Sequence, residues 1–137
     1  MDLIVKQLEP IQIENCECVV WGYRANHSQL YVWLHHQGTS IFSPTYLGFQ
    51  SVEFFSGPMK WSGASLRNGS REECMKLLDS GFISIPDSAV DAYLDAHRLF
   101  IFEMPSYAVR ILAAKDVAVI RNKRLRFGIS LSQQDSK

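Results

Sequence analysis

Apolar side chains occupy most positions of residues 16–24 and 29–37. In QLYVWLHHQ, Leu30, Val32, Leu34 and His36 fall on one face of an extended chain, and Tyr31, Trp33 and His35 on the other. A short apolar run of this kind, bounded by polar residues, predicts a strand, and apolar residues on both faces predict one that is central or covered on both sides. The polar run Ala25-Asn26-His27-Ser28 between the two stretches predicts a hairpin.

Residues 3–14 predict one strand, or two short ones broken at Pro10, which cannot donate to a ladder. Residues 38–48 predict a loop. Residues 49–55 and 60–67 read as two more strands. Between them runs SGPMKWSG, whose Gly57-Pro58 pair is turn chemistry, so a second hairpin with its corner there is expected.

The period then changes to that of a helix. Ser70-Arg71-Glu72-Glu73 is a capping-box pattern. Cys74, Leu77 and Leu78 form an apolar stripe behind it, bordered by Met75, and Gly81 is the expected stop. Residues 82–85 could form a short strand. Pro86-Asp87-Ser88 predicts a second helix to about His97, with Val90, Tyr93 and Leu94 inward. Strands are expected at 99–104, 107–113 and 117–120, and a last one within 121–131, before a polar tail at 132–137.

Strands, then one or two helices, then strands again do not make regular βαβ units. The expected class is therefore α+β: one domain over residues 1–131, with a largely antiparallel, twisted, strand-rich sheet of about seven strands. One or two helices are inserted after the first strand group. A half-open barrel is the competing arrangement.

Composition narrows this little. The 137 residues can bury a core unaided, and 47% apolar with 20% charged residues argues against disorder. Residues 1–4 lack a secretory pattern, and no apolar run approaches a membrane span. With three cysteines, an odd number, the chain makes a poor disulfide framework, so a cytoplasmic protein with reduced thiols is expected.

Charge changes the picture more. The net charge is zero, but residues 71–103 hold three basic and seven acidic groups, and residues 104–137 hold seven basic and two acidic. An acidic middle and a basic end can attract each other within one chain or between two copies, so a homo-oligomer is a further expectation.

No recognised catalytic set emerges. Cys16-Glu17-Cys18 with His35 and His36 is an incomplete zinc set, and two adjacent histidines on a strand point to opposite faces. There is no serine elbow, no metalloprotease helix and no phosphate loop, so no cofactor is expected. Asp87, Asp91 and Asp95, spaced by four, line one helix face, either as a solvated surface or as a stripe for a basic partner. Arg121, Lys123, Arg124 and Arg126 precede Phe127 and could follow phosphates. The near-neutral balance argues against a dedicated nucleic-acid module. Trp33 and Trp61 are candidate pocket or contact aromatics, with core as the alternative.

The leading expectation is a non-catalytic protein-binding domain, such as an immunity-like or small regulatory protein, acting through a sheet or charged surface. A small-molecule binder or enzyme with an aromatic-lined pocket is the alternative. RNA contact through residues 121–126 is the third.

Overall fold

The computed structural model describes residues 2–5, 13–36, 45–81 and 83–121. Ten strands among them fall into two antiparallel sheets, with two α-helices laid outside the second. The expected class holds. The strands number ten rather than about seven, and they divide between two packed sheets.

The first sheet contains β1 (Asp2–Val5), β2 (Cys16–Arg24), β3 (Gln29–His36), β4 (Thr45–Phe49), β6 (Lys60–Ser62) and β10 (Val117–Arg121), in the order β1-β10-β4-β3-β2-β6. The second contains β5 (Phe54–Ser56), β7 (Ser65–Asn68), β8 (His97–Glu103) and β9 (Ala108–Ala114), in the order β5-β9-β8-β7. The β2–β3 hairpin matches its sequence signal. β3 is central, flanked by β2 and β4. A bulge at Trp21 sets two residues of β2 against one of β3.

The inner faces interdigitate. Leu30, Val32 and Leu34 of β3, Leu47 and Phe49 of β4, and Val117 and Val119 of β10 pack with Phe100, Phe102, Val109 and Ile111 of the second sheet. Phe49 lies 5.2 Å from Phe100, and Trp61 meets Phe102 edge to face at 4.9 Å. The middle of β8, Leu99 to Phe102, is apolar on both faces because its other face is covered too: Leu99 and Ile101 pack beneath Cys74 and Leu77.

α1 (Arg71–Asp79) starts as its capping box predicts. The Glu73 amide donates to the Ser70 hydroxyl, and the Ser70 amide donates to the Glu73 carboxylate at 2.7 Å. It ends at Gly81, whose φ of +90° suits glycine. A 3₁₀ turn over Asp87–Ala89 leads into α2 (Val90–Ala96), and His97 already opens β8.

Several expectations need correction. Residues 45–48, expected within a loop, belong to β4. Residues 49–55 are not one strand: β4 ends at Phe49 in the first sheet, and β5 begins at Phe54 in the second. Residues 60–67 are likewise split into β6 and β7, which lie in different sheets. Consequently β5 and β6 are not hairpin partners. β5 pairs with β9, β6 pairs with β2, and Ser56–Lys60 carries the chain from one sheet to the other. Gly57 suits this crossing because its φ is +145° and a Cβ there would stand 2.8 Å from Val109 Cγ2. Finally, of the short strand expected at 82–85, residues 83–85 form no strand and line a groove beside α1, and residue 82 lies outside the described residues. The last strand expected within 121–131 is described only at Arg121, which closes β10, and the rest lies outside the described residues.

Candidate functional site

The second sheet's helical layer leaves a groove of ≈ 310 Å³ between the end of α1 and the segment leading to α2. Its apolar walls come from Met75, Leu78, Ile83, Ile85 and Val90, and its rim carries two carboxylates, Asp79 and Asp87. The local sequence explains the shape. α1 buries Cys74 and Leu77 on the sheet below, while Leu78 packs at the edge of that cluster and Met75 lies half-buried beside it. Gly81 then turns the chain, Pro86 holds an extended conformation, and Ile83 and Ile85 line the opposite wall.

The three candidate aspartates are all exposed, one in the 3₁₀ turn and two on the helix that follows it. Asp87 sits in the 3₁₀ turn and lines the groove. Asp91 is on α2 and accepts from Arg71 at 2.6 Å, tying the two helices together. Asp95 is exposed further along α2. Asp79, Asp87 and Asp95 have no ion-pair partner among the described residues. Sequence reasoning missed Asp79 and the apolar walls. Ile83 and Ile85 were assigned to a strand, although the alternating FISI pattern did mark one apolar face.

Trp33 and Trp61 separate. Trp61 faces inward and is 2% exposed, so its side chain is core; its indole Nε1 has no hydrogen-bond partner among the described residues. Trp33 lies half-buried on the outer face of the first sheet, 5.3 Å from Trp21 and 5.0 Å from His35. Trp21, 39% exposed, also lies 6.1 Å from Tyr46. The bulge in β2 falls at Trp21. Arg121 ends β10 opposite Thr45, and Lys123, Arg124 and Arg126 lie outside the described residues.

An open cleft of ≈ 520 Å³ at one end of the first sheet is lined by Glu14, Asn15, Cys16, Glu17, His35, Ser62 and Gly63. Glu17 is directly opposite His35 and pairs with Lys60 at 3.7 Å. No set of three metal-ligating side chains comes together among the described residues. The thiols are poor nucleophiles. Burial, then the neighbouring Cys16 and Glu17, pushes Cys18 up to about 12, and burial also raises Cys16 and Cys74.

Near the start of β8, the Tyr93 and His97 rings stack at 3.9 Å, and the Tyr93 hydroxyl donates to Glu53 at 3.2 Å. Burial, then the Glu53 charge, raises the Tyr93 phenol and keeps it protonated. The group joins α2 to the crossing before β5 and acts as a brace.

No helix among the described residues is long and apolar enough to cross a membrane. The chain matches no protein-family model, no curated protein and no solved structure.

Proposed function

We propose that this chain is a non-catalytic protein-binding domain that receives a basic, apolar-studded segment in the groove between α1 and residues 81–90. One observation carries the reading: an apolar channel is bordered by two carboxylates, Asp79 and Asp87, with no ion-pair partner among the described residues. Apolar anchors entering the channel would supply affinity through buried area, at roughly 25 cal/mol per Å². The carboxylates would set orientation and attract a cationic partner, helped by the −4 balance of residues 71–103 (three basic, seven acidic). A regulatory or toxin-neutralising protein would need only this, with no chemistry.

The test is fluorescence anisotropy with a labelled peptide of alternating lysine and leucine. Binding should weaken about tenfold in Asp79→Asn/Asp87→Asn and decline with added salt. Ile85→Glu should remove it by placing a charge in the channel. Equal affinity for wild type and both variants would rule the groove out.

The open cleft beside Cys16 favours a second reading, in which a small polar ligand sits near Glu17 and His35. Trp33 is close enough to His35 to report it. Unchanged tryptophan fluorescence across a panel of small amines and sugars would remove that reading.

A further inference from the structure

We infer that the groove's own occupant is the basic segment 121–127 of a second copy of this chain, so that two copies clasp reciprocally. The inference rests on the groove reading above and names its partner.

Three observations support it. The first is complementary charge: residues 71–103 carry three basic and seven acidic groups, and residues 104–137 carry seven basic and two acidic. The second is pattern. In RNKRLRFGISL, Leu125, Phe127, Ile129 and Leu131 recur at every second position, and Arg124 and Arg126 alternate with them. A segment with apolar and cationic positions in alternation fits a channel with apolar walls and carboxylates at its rim. Leu125 or Phe127 can enter between Met75, Leu78 and Ile85 while Arg124 and Arg126 reach Asp79 and Asp87.

The third is reach, which selects the second copy. β10 ends at Arg121 in the first sheet, whereas α1 and α2 lie beyond the second. Packed sheets are separated by about 10 Å, and a helix layer adds about as much again. From Arg121 to Phe127 the chain spans at most about 22 Å when fully extended. That length is consumed by the straight distance through the molecule and is too short for a route around it. No such limit applies to the groove of a neighbour. A reciprocal pair closes about a two-fold axis and leaves no open end. Each junction is small, so the pair should be micromolar and salt-sensitive.

The experiment is sedimentation of the full chain with charge-reversed variants. Wild type at tens of micromolar and low salt should sediment at twice 15.6 kDa and revert to 15.6 kDa as salt rises through about 0.5 M. Asp79→Lys/Asp87→Lys alone and Arg124→Glu/Arg126→Glu alone should each be monomers. Mixed together they should regain the dimer, because one junction is then native and the other has both signs reversed. A wild-type monomer under all conditions overturns the proposal. If the lysine–leucine peptide still binds that monomer, the groove reading survives; if it does not, both fail. Dimers that persist in each variant alone also overturn it, since association would then use another surface.

Discussion

The Arg67 guanidinium meets the Glu73 carboxylate through two hydrogen bonds, each 2.8 Å long. Glu73 Oε1 also caps the first turn of α1, and the same arginine reaches Glu103 at 3.1 Å. One fork thus joins β7, α1 and β8. Arg67 first, then the Ser70 amide, lowers the Glu73 carboxyl to about 2 from 4.5. A group lowered on folding stabilises the fold above its unfolded value and loses that effect as pH falls through the folded one. The gap in urea midpoint between wild type and Glu73→Gln should therefore be constant above about pH 5 and close between 4.5 and 2. Solvent exposure limits the effect to about 1 kcal/mol. An unchanged gap at pH 2 would contradict this account.

Trp61 combines close packing with an unpartnered donor. Trp61→Ala should cost about 3–5 kcal/mol by opening a cavity beneath Phe102. Trp61→Phe removes the orphan N–H along with some volume, and the two effects oppose each other. Its net cost should stay below about 1.5 kcal/mol. Equal losses for the two variants in chemical denaturation would mean that the indole nitrogen has a partner.

Gly57 should resist substitution. Gly57→Ala places a methyl 2.8 Å from Val109 Cγ2 and forces a φ of +145° on an L-residue. A loss of about 2–3 kcal/mol is expected, read as a lower urea midpoint with an unchanged slope. Neutrality would show that the crossing between the sheets relaxes freely.

The thiols should be silent in the native protein. Cys16, Cys18 and Cys74 are all buried, with their pKa values raised. Iodoacetamide at pH 8 should add nothing within an hour under native conditions and label all three in urea. A native adduct at Cys16, which lines the open cleft, would show that the cleft admits reagents.

Local signals were legible in the sequence. Ser70 and Glu73 announced α1, and the polar run before Gln29 announced the β2–β3 hairpin. Long-range placement was not. Phe49 and Phe54 are separated only by Gln50, Ser51, Val52 and Glu53, yet they pair with Leu30 and Leu112 in different sheets. The polar Gln50-Ser51 pair, with Ser51 at a φ of +49°, marks a break, but not which sheet takes each arm, because a strand's period is the same whichever sheet receives it. The turn residues at Gly57-Pro58 showed that the chain bends there, but not that its arms part. The groove was hidden for the same reason: its walls come from a helix flank and an irregular segment that meet only in three dimensions. Asp87 was picked out for its spacing to Asp91 and Asp95, whereas its neighbourhood with Asp79 and Ile85 depends on the turn at Gly81.

Among the described strands the chain passes between the sheets four times: after β4, β5, β6 and β9. Neither sheet is therefore a continuous piece of polypeptide, and any fragment that holds one sheet whole also carries at least one strand of the other. The molecule is laced like a boot, and loosening any eyelet slackens both sides. Its helical layer cannot be transplanted alone as a recognition module, and a partner gripping that layer would sense the integrity of every strand beneath it.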